Sequence, residues 1–263
     1  METQDEKPKF PLKLNKVGIT NLKTLVKIGR EGKEMRHIPK IDIFLDLKED
    51  KKGIHMSRLV ESITETVEEE VEYKHISLEE TASHILESLK KKHHFKRAEI
   101  NFTSELAVYG KTPVSKRKTI EVHEITLRLM RNEKELRKLM RVKVLGNTTC
   151  PHSMEVNQGK PHIQRAIGIL EIETDFDNEI EFEDLIGCVE ESFSSRVYTL
   201  LKTEDESFVV QSMFLNPLFV EDVTRNMLAL SQKRFKNCRI TAKCISQESI
   251  HRHDVYAEGF VEC

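Results

Sequence analysis

The chain lacks any apolar run approaching the roughly 20 residues that a membrane-spanning helix needs, and no helical anchor is expected in it. Met1 to Lys9 is polar and charged, without the apolar core of a signal peptide, so the expectation is a soluble cytoplasmic protein with no membrane partner. An excess of charge is also missing. The 42 basic residues nearly cancel the 44 acidic ones, which removes the electrostatic case for non-specific nucleic-acid binding. The basic run Lys90-Lys91-Lys92 reads as a solvated helix end. Cysteine is scarce: five residues, odd in number and irregularly spaced, exclude a disulfide framework. The paired cysteine sets of a zinc ribbon are absent, as are GxGxxG and Walker A nucleotide loops. What remains is 263 residues, 38% hydrophobic and 33% charged, enough for a core beneath a charged exterior in one large domain or two ordinary ones.

Residues 1–14, rich in Lys, Pro and Glu, are expected to form a flexible arm, with the folded domain covering 15–263. From Lys40 to Lys48 the pattern alternates, with Ile41, Ile43, Leu45 and Leu47 on one face and Asp42, Phe44 and Asp46 on the other; this predicts a strand. After Gly53, Leu59, Ile63, Val67 and Val71 recur every four residues and predict a helix from about Ser57 to Glu72. Ser77 with Glu80 forms a capping-box pattern opening a second helix to Lys92. Strands are predicted at 97–109, 118–131, 138–145 and 164–174, with Ala166, Gly168, Leu170 and Ile172 sharing a side. Helical period returns between Phe182 and Leu201, Asn216-Pro217 reads as an N-cap and first helical position, and 239–245 and 255–261 close the chain as strands. Paired helices between antiparallel strands favour an α+β fold. The element order hints at duplication, with halves near 15–135 and 136–263, although no sequence repeat is visible.

Two ligand-rich windows stand out. The first is Asn147-Thr148-Thr149-Cys150-Pro151-His152-Ser153, followed by Gly159-Lys160-Pro161-His162. The second is Glu248-Ser249-Ile250-His251-Arg252-His253-Asp254. A Cys150 thiolate suits a borderline-soft divalent metal, with His152 and His162 in reach along the loop. Spacing alone leaves a buried loop cysteine with exposed histidines equally open. If residues 250–256 are extended, His251 and His253 share a face, where they can bind metal or move protons near neutral pH, with Glu248 placed to orient one of them. Cys188, Cys238 and Cys244 sit in apolar patterns and read as small core residues, and Cys263 as an inert terminal thiol. Glu206 is indistinguishable by charge pattern from a solvated acid in a connector. Glu221, flanked by Phe219, Val220 and Val223, can grip the paired N–H donors of a guanine or pterin edge, or simply complement a helix dipole. In Lys52-Gly53-Ile54-His55-Met56-Ser57-Arg58, Ser57 can cap a helix and Arg58 can hold a phosphate beside its N-terminus.

Taken together these windows resemble the type IB GTP cyclohydrolases, in particular their archaeal MptA branch. The matching stretches are 53–58, Thr149-Cys150-Pro151, Gly159-Lys160-Pro161-His162-Ile163-Gln164-Arg165, Leu200-Leu201-Lys202 with Asp205-Glu206, Asn216-Pro217 with Phe219-Val220-Glu221-Asp222, and Glu248-Ser249-Ile250-His251 with His253. They run in the family's order from about Leu12 onward. The resemblance implies a tunnelling fold (T-fold), in which duplicated strand-strand-helix-helix units form barrels across the subunits of a homodimer or homotetramer with interfacial sites. It implies GTP as substrate and a divalent metal, Fe(II) first, with Zn(II) or Mn(II) as alternatives. Cys150, His162 and Glu206 match its metal positions, Glu221 its guanine anchor, and Glu248, His251 and His253 its acid/base cluster. The family's second cysteine, two residues after the first, is replaced here by His152.

The implied reaction is metal-assisted hydrolysis at C8 of the guanine ring, release of formate and reclosure to a dihydropterin for pterin and folate-type cofactors, tetrahydromethanopterin among them. The archaeal product is 7,8-dihydroneopterin 2′,3′-cyclic phosphate; the bacterial one keeps its triphosphate. Two other readings compete: a T-fold nitrile reductase acting on a cyano-deazaguanine with NADPH, for which no cofactor motif is evident, and a non-catalytic, metal-stabilised binding module.

Overall fold

The computed structural model describes residues 3–30, 33–70 and 77–263. In chain order the elements are β1 (Leu14–Lys23), β2 (Val26–Arg30), β3 (Lys33–His37), β4 (Lys40–Leu47), α1 (Met56–Glu70), α2 (Leu78–Lys92), β5 (Ala98–Lys111), β6 (Lys118–Arg131) and β7 (Leu136–Thr149). They continue with α3 (Pro151–Val156), β8 (Ile163–Asp175), α4 (Phe182–Glu190), β9 (Ser195–Arg196), α5 (Thr203–Leu215), α6 (Val220–Arg234), β10 (Cys238–Ser246) and β11 (Val255–Glu262). With β2, β3, α3, β9 and α5 set aside as insertions, the order strand-strand-helix-helix-strand-strand occurs twice, as β1, β4, α1, α2, β5, β6 and as β7, β8, α4, α6, β10, β11. Hydrogen-bonded neighbours follow the same scheme, β1-β4-β5-β6 and β7-β8-β10-β11. This is the duplicated α+β order expected from the sequence. The chain divides into two compact units, one comprising Met1–Ser104 with Thr126–Leu139, the other Glu105–Ile125 with Met140–Cys263. Among the described residues no helix is long and apolar enough to cross a membrane.

In the first unit the alternating strand pattern of β4 is realised, with Ile41, Ile43, Leu45 and Leu47 buried. Asp46, expected on the outer face, is buried instead. Its Oδ1 accepts the Lys96 and Arg97 N–H groups at 2.8 and 2.9 Å, and Lys13 lies 3.6 Å from Oδ2. Burial alone would raise its pKa, but the two N–H donors and Lys13 outweigh it and hold the carboxylate below the usual range. Helix α1 buries Leu59 and Ile63. It begins at Met56, so Ser57 lies inside the first turn rather than at the cap, and Val71 and Glu72 lie outside the described residues. Ser77 caps α2 as expected: its Oγ accepts the Glu80 N–H, and Glu80 accepts the Ser77 N–H. Residues 3–5, expected in a flexible arm, form a 3-10 turn whose Gln4 carbonyl accepts the Lys52 and Gly53 N–H groups. Lys51–Asp5 and Lys52–Glu6 pair there at 2.8 and 2.9 Å.

In the second unit β8 buries Ala166, Leu170 and Ile172 against α4 and α6. Gly168 on the same face leaves room for Val189, Phe193 and Met227; a Cβ there would meet Val189 Cγ1 at 2.5 Å. A Cβ on Gly146 of β7 would meet the buried Phe193 ring at 2.1 Å. Two sequence expectations fail here. The helical period of 182–201 stops at Glu190, because Ser192 Oγ donates back to the Cys188 carbonyl and Ser195–Arg196 leave to pair with Asn147 and Gly146. Asn216 does not open a helix but closes α5: its N–H bonds the Ser212 carbonyl, its side chain donates to the Phe193 carbonyl, and α6 starts at Val220. Helix α5 itself went unread because only Asp205 and Met213 are buried along it, so no apolar stripe marks it.

His123 on β6 is buried, its Nε2 lacks a hydrogen-bond partner among the described residues, and Glu190 Oε1 lies 3.9 Å away. Burial holds its pKa below 6.5. The unfolded chain therefore takes up a proton that the folded one refuses, and stability is expected to fall as pH drops below about 6.5. His93, also lowered by burial, acts in the same sense. Glu190, raised by burial, acts oppositely. In urea titrations between about pH 7.5 and 5.5, His123→Gln should show a shallower decline than wild type; equal slopes would contradict the assignment. Gly146→Ala should cost about 1–3 kcal/mol through overpacking against Phe193, read as a lower urea midpoint at unchanged m-value.

Candidate functional site

The strand ends of the second unit converge on a cavity of about 300 Å³. Thr148 reaches it from β7, Gln164 from β8, Glu248 from just beyond β10, and His251 and His253 from the bend before β11. Leu218, Phe219, Val220 and Glu221 line it from the start of α6, and Cys150 and His162 from the two ends of the α3 loop. The cavity thus has an apolar wall, completed by Val255, and a side carrying a thiol, three imidazoles and two carboxylates. Its size is at the lower end of small-molecule sites.

Cys150 and His162 are neighbours because their loop is closed by backbone bonds. Cys150 is the N-cap of α3, its sulfur accepting the Ser153 N–H at 3.3 Å, with Pro151 at the first helical position. The Cys150 N–H donates to the His162 carbonyl at 3.2 Å. Between them the chain turns through left-handed backbone at Gln158 and Gly159, φ +55° and +79°.

A hydrogen-bond chain then fixes the His162 ring. Gln164 Nε2 donates to Glu248 Oε1 at 3.2 Å, and an ionised carboxylate can only accept, so the amide oxygen must face the other way. That oxygen lies 2.8 Å from His162 Nδ1. Nδ1 therefore carries the proton and Nε2 presents a bare lone pair, a tautomer assigned by the network. Glu248, its side chain 7% exposed, also lies 3.5 Å from Ser246 Oγ, which in turn contacts Thr148 Oγ1 at 3.1 Å. Its Oε2 is 3.9 Å from His162 Nδ1. The sequence suggested that Glu248 orients a histidine of its own window; it orients His162 instead, through Gln164. Periodicity could have found Gln164, which continues the buried face of β8 one step beyond Ala166.

His251 and His253 do share a side, but not as strand residues. They lie in a bend, both exposed, with rings stacked 5.1 Å apart at 8°. Glu221 is exposed in the first turn of α6 at the cavity rim. Cys244 is buried beneath, its thiol pushed up to about 12 by burial, with Glu221 adding to the shift; Cys238 is raised to about 11, also by burial. Both are core thiols, as expected, and Cys150 is the cysteine on the cavity.

Other candidates lie elsewhere. His152 is exposed on α3 and does not line the cavity. Glu206 is exposed in the first turn of α5, not in a connector, and is also outside the cavity lining. Ser57 and Arg58 belong to the first unit. Among the described residues no three His, Cys, Asp or Glu side chains stand together as a metal cage within one chain. Next to Glu206, Asp205 is fully buried. Its Oδ1 accepts the Val114 and Ser115 N–H groups at 2.8 and 2.9 Å, and its Oδ2 accepts the Ser115 hydroxyl and the Lys202 N–H. Burial would raise its pKa, but these four donors prevail and hold it far below the usual carboxylate range.

Residues 1–257 match the family model described as type I GTP cyclohydrolase folE2. The chain is 51% identical to the GTP cyclohydrolase MptA of Pyrococcus furiosus over 98% of each chain, and 50% identical to that of Thermococcus kodakarensis with the same coverage. It is 35% identical to that of Methanothermobacter thermautotrophicus over 98% of this chain and 92% of that one. Among solved structures, uricase from Arthrobacter globiformis aligns with a TM-score of 0.62 at 7% identity, covering 95% of this chain and 93% of that one. At that identity the likeness shows the fold alone, and it is the T-fold.

Removing the amide that fixes His162 should loosen the ring without emptying the cavity. Gln164→Leu is expected to weaken divalent-metal binding by roughly 10–100-fold, measured by competition with a chromogenic chelator, in a protein whose circular dichroism matches wild type. An unaltered affinity would mean that the chain of hydrogen bonds plays no part in presenting His162.

Proposed function

The chain belongs to the type I GTP cyclohydrolase family, and on that premise we propose that the Cys150 cavity opens the guanine imidazole ring of GTP by hydrolysis, releasing formate and leaving a 7,8-dihydroneopterin phosphate. The observation that carries this reading is one cavity gathering a thiol, a histidine with a defined bare nitrogen, two further imidazoles and two carboxylates. The residues fit a divalent metal ion: Cys150 Sγ and His162 Nε2 are the sulfur and nitrogen donors that Fe(II) or Zn(II) favours, with Mn(II) a poorer match. Such an ion would supply Lewis acidity for activating water.

The chain's own residues do the rest. Glu221 accepts the two N–H donors of the guanine edge, with Phe219 and Val220 beside it as the apolar wall, which orients C8 toward Cys150 and His162. Water adds at C8, and His251 or His253 protonates the ring nitrogen that departs as the C8–N bond breaks. A second water releases formate from the resulting formamide. The ribose then rearranges and the freed amine closes the new ring with loss of water. Glu248 and Gln164 keep His162 in one tautomer throughout.

Glu206 completes the metal set from a second copy of the chain, in a homodimer or homotetramer of tandem T-fold halves, 15–135 and 136–263. Two features support this: Glu206 is outside its own chain's cavity, and α5 exposes Phe208, Val210 and Leu215, the last 84% exposed. Ser57 and Arg58 serve the phosphates of GTP. The product is 7,8-dihydroneopterin 2′,3′-cyclic phosphate, formed when the neighbouring side-chain hydroxyl attacks the α-phosphorus and pyrophosphate leaves, a choice resting on likeness to the archaeal MptA proteins.

The decisive experiment is anaerobic incubation of metal-loaded protein with GTP, reading formate and, after oxidation, pterin fluorescence, with phosphate analysis of the product. Silence with Fe(II), Mn(II) and Zn(II) would overturn the assignment, and a retained triphosphate would move the product to the bacterial type. Cys150→Ala should fold, lose the metal and release no formate; a variant that unfolds would favour a metal-stabilised binding module. Glu221→Gln should lower kcat/KM for GTP by roughly 10–100-fold through one lost charge-assisted contact.

A further inference from the structure

A second depression in the same unit, about 550 Å³, is lined by Ser115, Lys116 and Arg117 from the β5–β6 turn and by Lys202, Thr203 and Glu204 from the start of α5. We infer that this cradle is a binding site for a phosphoryl anion, in which Lys116, Arg117 and Lys202 supply the charge and the Thr203 hydroxyl a further donor, the Ser115 hydroxyl being taken up by Asp205. Three cations face one acid, Glu204. No carboxylate among the described residues is paired with any of the three; Lys116 Nζ rests on the Pro113 carbonyl at 2.6 Å. Like charges gathered without counter-ions repel, and the fold holds them there with a dedicated anchor. Buried Asp205 binds the turn through the Val114 and Ser115 N–H groups and the helix start through the Lys202 N–H. Its charge is spent on those inward donors. The Thr203 and Glu204 N–H groups precede the first bond of the helix, Glu206 N–H to the Lys202 carbonyl, and Lys202 cannot act as an acceptor cap. Lysine and arginine cations beside a hydroxyl and open helix-start N–H donors suit phosphate oxygens.

The anion can be free polyphosphate or the phosphate chain of a nucleotide; the second source rests on the GTP reading. The test titrates the assembled, metal-free protein with inorganic tripolyphosphate, GTP and guanosine by calorimetry, for wild type, the double variant R117A/K202A and the charge-keeping R117K/K202R. Tripolyphosphate affinity should fall about tenfold per cation removed in the first variant and recover in the second, with thermal midpoints unchanged. If GTP weakens in parallel while guanosine does not, the source is the nucleotide chain; if only tripolyphosphate weakens, it is the free anion. Tripolyphosphate binding that is undetectable in wild type, or equal in all three proteins, overturns the site. Guanosine binding weakened by Glu221→Gln but kept in R117A/K202A would show that the base-binding reading stands or falls separately.

Discussion

The register of β10 against β8 is the constraint on which the site depends. The ladder is antiparallel and unbroken over nine pairs, from Cys238 opposite Thr174 to Ser246 opposite Ala166, and the Gln247 N–H bond to the Arg165 carbonyl extends it. Two residues beyond the last pair, on the face that buries Gly168, Leu170 and Ile172, stand Gln164 on one side and Glu248 on the other. Their hydrogen bond is the next rung of the core, made with side chains. A slip of one residue would turn both to the opposite face, leaving His162 without a partner and Glu248 without a donor. The hydrophobic packing of the unit and the proton position on one imidazole are therefore set by the same alignment. The close fit of Gly168 to Val189 and Phe193 fixes the sheet against its helices at the same level.

Much of this was legible beforehand wherever burial imposes a period. β4, β8 and β10 and the cap of α2 follow directly from alternation and from the Ser77–Glu80 spacing. The metal-type pair Cys150 and His162 and the rim acid Glu221 came from the order of several short motifs, not from composition or period. What was illegible has a common cause: the informative residues are polar groups whose role depends on a distant backbone. Asp46 and Asp205 look like neighbouring solvated acids, yet each is consumed by N–H donors, fifty residues away for Asp46 and ninety for the turn that Asp205 holds. Helix α5 was unread because its apolar residues face outward.

Acids so placed do different work from the surface charges around them. In Lys202-Thr203-Glu204-Asp205-Glu206, Asp205 points inward and is saturated, Glu204 lines a basic depression, and Glu206 stands in solvent in the single chain. The same contrast separates the cysteines. Cys244 is kept protonated by burial, while Cys150, at a helix start beside His162, is the thiol open to a ligand.

Strands β5, β6 and β7 each contribute residues to both compact units, so neither unit is one continuous stretch of chain. During synthesis the first unit lacks part of its sheet until residue 139 has left the ribosome, by which point the second already holds residues 105–125. No single peptide cut releases either unit whole. Each boundary between the units falls inside a strand, so a product truncated after residue 104, 125 or 139 would end within β5, β6 or β7 and not in a loop.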